Sequence, residues 1–125
     1  MEIDRYKAPF MATALILALA GGSQAGELFT PPLFITNPDN IRCEIVNLGV
    51  HFQTATIQIR DINGDAVGLP RKQNLGPGQV TTKAELAGSA YCHFTVEGSG
   101  KDFRASACVA SSTSGECVGA AIAAE

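Results

Sequence analysis

From Ile41 onward, apolar and polar residues alternate with a period of two rather than 3.6. Ile41, Cys43 and Ile45 alternate with Arg42 and Glu44. Ala55, Ile57 and Ile59 alternate with Thr56, Gln58 and Arg60. Val80, Thr82, Ala84 and Leu86 alternate with Thr81, Lys83 and Glu85. Cys92, Phe94 and Val96 alternate with Tyr91, His93 and Thr95. One apolar and one polar face per segment is the pattern of a half-buried antiparallel strand. The pattern predicts strands over 41–48, 54–61, 66–69, 80–87, 90–97 and 103–110, with a seventh over 116–122.

Turn chemistry separates these runs. Asn63-Gly64 is a hairpin signal, read as a type I′ turn because both of its central residues need positive φ. Gly76-Pro77-Gly78 and Gly98-Ser99-Gly100 mark two further tight loops. Turns at this spacing predict an all-β, antiparallel β-sandwich over residues 41–125. Gly26 to Asn40 holds Pro31, Pro32 and Pro38 and reads as an extended lead-in, with a short strand at Leu33–Ile35. Such a lead-in is placed to lie along a sheet edge and protect it.

Residues 1–25 follow a different pattern. Arg5 and Lys7 precede an apolar run from Phe10 to Ala20, broken only by Thr13. Gly21-Gly22 ends the run, and Ser23-Gln24-Ala25 supplies the small residues of a cleavage site. This layout predicts a helical secretory signal peptide over 1–25. The run is about half of the roughly 20 residues that span a bilayer, so no permanent span is expected in the mature chain. The expected location is secreted or periplasmic.

Composition agrees with one exported domain. The chain has 125 residues, 46% hydrophobic and 17% charged, with a formal net charge of -3. It is too apolar for a disordered chain and too acidic for a nucleic-acid partner, which requires a basic face. Arg71-Lys72 and the Lys101/Arg104 group read as solvated charge.

The order of strand, Asp61-x-Asn63-Gly64 hairpin, short strand, Leu75-Gly76-Pro77-Gly78-Gln79 loop and strand resembles bacterial extracellular immunoglobulin-like domains. Tyr91-Cys92-His93-Phe94 with Arg104-Ala105-Ser106-Ala107-Cys108 is similar to small exported bacterial proteins of uncharacterised function. The resemblance covers about residues 41–118 and implies an immunoglobulin-like sandwich of about seven strands; it implies no activity. The chain departs from antibody-type domains in having no Trp. Tyr91 also lies one residue before Cys92, where a tyrosine corner needs two.

Four cysteines in a short exported chain imply two disulfides, with three possible pairings. Cys43 and Cys92 both lie on apolar strand faces. A hairpin with a two-residue loop at Ser99-Gly100 sets Val96 opposite Phe103, Phe94 opposite Ala105 and Cys92 opposite Ala107. Cys108 then points away from the core, toward Cys117 across the Ser111–Gly115 loop. This register favours Cys43–Cys92 with Cys108–Cys117. A three-residue loop would instead pair Cys92 with Cys108, but it sets Arg104 opposite Val96 on the core face. Zinc and redox catalysis lack their close Cys-x-x-Cys pairs, and no metal or cofactor is expected.

Candidate chemistry is sparse. His93 is placed on a solvent face and His51 in the 49–53 turn. No Gly-x-Ser-x-Gly motif occurs, and no catalytic residue is assigned. Asp61-Ile62-Asn63-Gly64-Asp65 resembles the start of a calcium loop, but Ala66 and Lys72 stand where that loop needs Gly and Glu. Tyr91 is the one candidate platform for a sugar. The expectation is a non-catalytic binding or structural module whose partner is a protein or a surface glycan. Loops 49–54, 70–79 and 111–116 are the expected contact regions. The alternatives are a carbohydrate-binding module, a strand-exchanging assembly subunit, or a small secreted enzyme or inhibitor built around His51 or His93.

Overall fold

The computed structural model describes residues 26–125. The signal-peptide expectation over 1–25 lies outside the described residues. Among them are nine strands: β1 (Gly26–Phe29), β2 (Leu33–Phe34), β3 (Asn40–Asn47), β4 (Gln53–Asp61), β5 (Ala66–Leu75), β6 (Val80–Glu85), β7 (Ser89–Val96), β8 (Phe103–Ala110) and β9 (Cys117–Ala123). They form two antiparallel sheets. One has four strands in the order β9-β8-β3-β6. The other has five, in the order β1-β7-β4-β5, with β2 also paired to β7.

The alternating segments become the inner strands. β3 and β7 are buried at every second position. Ile41, Ile45, Ile57, Ile59, Phe94 and Phe103 meet between the sheets at 2% exposure or less. Each contributes about 1.5–3 kcal/mol by leaving water. Two antiparallel sheets packed on one shared core define a β-sandwich.

Three expectations are corrected here. The 97–102 segment is not a hairpin: β7 and β8 lie in different sheets. A 3-10 turn over Gly100–Asp102, with Ser99 Oγ accepting from the Lys101 N–H, carries the chain across. Phe94 and Phe103 therefore enter the shared core from different sheets rather than pairing along a ladder. In β6 the faces are reversed: Thr81 is buried, whereas Val80 is 48% and Leu86 63% exposed. Strand β5 runs on through Leu75, past the 66–69 limit, so 70–75 is sheet edge and not loop. The lead-in does lie along a sheet edge, and its Gly26–Phe29 segment is itself a strand that with β2 covers the edge of β7.

The hairpin between β4 and β5 differs in turn type. Gly64, with φ +88°, is the residue in the left-handed region. Its N–H donates to Asp61 O at 2.9 Å, and Asp61 N–H donates to Asp65 O at 2.9 Å. This is a three-residue loop closed by a left-handed glycine, not a two-residue type I′ turn.

The two lateral sides of the sandwich close differently. On one side, Phe29 N–H donates to Glu125 O (2.8 Å) and Glu125 N–H to Phe29 O (2.9 Å), joining β1 to the residues after β9. On the other side lie the edge strands β5 and β6. Arg71 Nε donates to Thr81 Oγ1 at 2.8 Å between them. Among the described residues, no helix is long and apolar enough to cross a membrane.

Candidate functional site

Two disulfides hold the scaffold. Cys43 on β3 is bonded to Cys92 on β7, which ties the sheets together through the core. Cys108 is bonded to Cys117 across the β8–β9 loop. These are the pairs that strand-face parity favours. Parity survives the wrong hairpin because the crossing still leaves Cys92 facing inward and Cys108 on the opposite face. None of the four cysteines is free.

Three loops meet at one end of the sandwich: 48–52, 76–79 and 97–102. Asn47, fully buried at the end of β3, organises them. Its Nδ2 donates to His51 O (2.8 Å) and to Leu75 O (2.9 Å). Its Oδ1 accepts from Gly49 N–H at 2.9 Å. Its backbone N–H donates to Gln79 O (3.0 Å), and its carbonyl accepts from Gly78 N–H (2.6 Å). Leu48 N–H donates to Asp102 O at 2.7 Å, and Gln53 Nε2 to Asp102 Oδ2 at 3.1 Å. The anchored loop still presents Leu48, Val50 and Phe52 at 55%, 80% and 65% exposure. The exposed apolar side chains therefore sit on a hydrogen-bonded loop rather than on a frayed end.

The expected contact loops separate. Loop 49–54 and the Gly76–Gln79 part of 70–79 meet at this end. Loop 111–116 lies at the opposite end of β3, where Arg42 Nη1 donates to Gly115 O at 3.0 Å. Asp61 serves its own hairpin, its Oδ1 accepting from Asn63 N–H (2.9 Å) and Asp65 N–H (3.0 Å). Arg71 turns between the sheets toward Thr81, whereas Lys72 lines a groove on the outer face. Arg104 Nη1 donates to Phe103 O at 2.9 Å. Among the described residues, no group of three or more His, Cys, Asp and Glu is arranged to hold a metal ion.

His93 is not the solvated residue that the alternation implied. The Phe29 ring stacks on its imidazole, and Arg60 Nε donates to Nδ1 at 3.1 Å. Burial, then the Arg60 charge, pushes the His93 pKa below its ordinary value, with Glu27 pulling the other way. Glu27 Oε1 lies 3.8 Å from Nε2, beyond hydrogen-bond reach, so this buried nitrogen has no partner. His51 is exposed in its loop. Gln53 and Gln58, their neighbours on β4, are about 17 Å apart along the strand, so the fold does not bring the two histidines together.

Beside Tyr91, the expected aromatic platform, the structure exposes a second ring, Phe29. Tyr91 is half-buried and lies opposite Arg60 beside the Gly64 turn. Phe29 is 41% exposed over His93. The available signal was its neighbour pattern: Glu27 and Phe29 share one face of an alternating Gly-Glu-Leu-Phe segment.

No protein-family model, curated protein or solved structure matches this chain.

Proposed function

We propose that this chain is an exported, disulfide-stabilised binding and structural module of the immunoglobulin-like class, without catalytic activity. The observation that carries the reading is the pinned loop end: Asn47 ties the 48–52 loop to the 75–79 segment, Leu48 and Gln53 tie it to Asp102, and Leu48, Val50 and Phe52 stay uncovered. A rigid loop surface binds without first ordering itself, which saves the entropy a flexible one loses. The cross-sheet Cys43–Cys92 bond supports the immunoglobulin-like assignment, since that class links its sheets in the same manner. Two disulfides support a secreted or periplasmic location, where such bonds persist. The partner at the loop end is a protein with a complementary apolar patch. Strand exchange has less support, because β1 and β2 already pair with β7 of their own chain.

The test is expression of the full chain in bacteria, followed by intact mass and binding of the exported protein to the cell-envelope fraction. The expected product begins at Gly26, has four oxidised cysteines and loses envelope retention in the L48S/V50S/F52S variant. A retained N-terminus with free thiols overturns export. Equal retention of the triple variant overturns the loop end as the contact surface.

A further inference from the structure

The outer face of the five-stranded sheet carries a second surface, of different chemistry. Strand register places Glu27 (β1), Thr95 (β7), Thr56 (β4) and Lys72 (β5) in one row across the strands. At about 4.8 Å per strand the row is about 14 Å long. Thr54, Thr56, Lys72, Thr95 and Glu97 line a groove of ≈ 180 Å³ along it. In the neighbouring row, Phe29 lies opposite His93 and stacks on it.

Three features of this face belong together. First, the Phe29 ring is held in place. It rests parallel to His93, its backbone is bonded to Glu125, and Arg60 holds the imidazole from the far side. Second, the threonine hydroxyls and the Lys72 ammonium are not used by the fold among the described residues. Thr54, for example, is engaged through its backbone, its N–H donating to Glu97 Oε1 at 2.8 Å. Third, the charges at the row's ends are opposite, so the groove as a whole is polar without a dominant sign. β-propensity explains threonine on a strand. It does not explain an aromatic ring stacked on His93 in the neighbouring row and left 41% exposed.

We propose that this face, from Phe29 to Lys72, is a binding site for a β-1,4-linked oligosaccharide. A pyranose ring offers an apolar face of C–H groups to an aromatic plane and a rim of hydroxyls to donors and acceptors. Phe29 supplies the plane, and Thr54, Thr56, Thr95 and Lys72 supply the rim. Equatorial linkage gives a flat ribbon that follows a sheet surface, whereas an α-linked chain curls away from it. The preformed platform removes an ordering cost from binding. This site lies on the sheet face next to the loop end, sharing Glu97 with it, and its failure would leave the loop reading standing.

The experiment is backbone-amide NMR of the exported, oxidised protein titrated with cellotriose, chitotriose and maltotriose to about 10 mM, concentrations that detect millimolar affinity. The expected result is shifts centred on Phe29, Thr54, Thr56, Lys72 and Thr95 with a β-linked trisaccharide, and none with maltotriose. Response to chitotriose alone would assign the rim to an acetamido group; response to both β-linked sugars would assign recognition to the ribbon shape. Either supports the site. Phe29→Leu weakens binding at least about ten-fold and Phe29→Tyr retains it. Thr56→Val and Thr95→Val, which keep strand shape, weaken it without altering the melting temperature. No shift with either β-linked sugar, equal binding of maltotriose, or unchanged binding in both threonine variants overturns the proposal.

Discussion

Phe29 lies over the imidazole of His93, with ring centroids 4.4 Å apart and planes 11° from parallel. The stack joins β1 to β7 through side chains where the ladder already pairs the two residues. Arg60 sets the tautomer of the histidine. Nδ1 accepts from Arg60 Nε, so the ring is neutral and its proton sits on Nε2. A second proton would have to enter at Nδ1, displacing that hydrogen bond and placing imidazolium beside guanidinium.

Acid should therefore loosen this corner of the fold. The folded chain holds His93 with a pKa lowered from 6.5, so the unfolded chain binds the proton more readily. The contribution is complete above the ordinary value and is lost as the pH falls through the lower native one. Thermal melts from about pH 8 to pH 5 should show a falling melting temperature in wild type. His93→Gln should flatten the profile over that range, because nothing is left to take up the proton. Equal slopes for the two proteins would remove His93 as the cause.

The two disulfides should differ in both stability and access. Cys43–Cys92 closes a separation of 49 residues and Cys108–Cys117 one of 9. On the chain-entropy account their losses cost about 4 and about 2.5 kcal/mol. A domain with a total stability of about 5–15 kcal/mol can survive the second loss more easily than the first. Cys43 and Cys92 are fully buried, whereas Cys117 is exposed. Graded reduction with mass mapping should open Cys108–Cys117 first. Denaturant titration should show C43A/C92A largely unfolded and C108A/C117A folded with a lower midpoint.

The open side of the sandwich depends on an irregular edge. The β4–β5 register slips between Ile57 and Ile59, and Gly68 within the bulge has φ +74°. Any other L-residue there costs about 1–2 kcal/mol. A methyl group at Gly68 would also meet the Glu85 carboxylate, which pairs with Lys83 at 2.7 Å. Gly68→Ala should lower unfolding free energy by about 1–2 kcal/mol on backbone grounds alone. Adding Glu85→Ala removes the collision but not the backbone cost, so the double variant should stay below Glu85→Ala by about the same amount.

Alternation made β3, β4, β7 and β8 legible because each lies inside a sheet, with one face on the core. It failed where a strand has little core to face. Arg71, Lys72, Gln73 and Asn74 carry no apolar period because β5 is an edge strand exposed along most of its length. Pro70 then masked its continuation, although an edge is where a sheet tolerates proline. In β6, Val80, Ala84 and Leu86 suggested the inner face, yet the position nearest the core is Thr81, whose hydroxyl meets Arg71. Which sheet each strand joins was not encoded in its own pattern. Residues 97–102 suit a hairpin and a crossing equally, and the choice is made by distant pairings, of β7 with β4 and of β8 with β3. The loop end depended on Asn47, which in sequence is one polar residue closing an apolar strand.

Asn47 gives the sharpest test of that loop end. Its side chain supplies two donors, to His51 O and Leu75 O, and one acceptor, to Gly49 N–H. Alanine leaves these three backbone groups without their partner, and the bond to Leu75 O is buried. An unsatisfied buried group costs about 1–3 kcal/mol, and those near solvent less, so Asn47→Ala should destabilise by about 2–4 kcal/mol. Asn47→Asp keeps the acceptor but sets a buried carboxylate against two carbonyl oxygens, and should cost at least as much. Leucine restores volume without hydrogen bonds and should rescue little, which separates lost bonding from lost packing. Hydrogen exchange provides the local readout. Protection should fall first at Gly49 and Gly78, with the centres of β4 and β7 unchanged below the unfolding transition. If protection fell uniformly across both sheets, Asn47 would be a general core residue, and the loops would owe their order to something else.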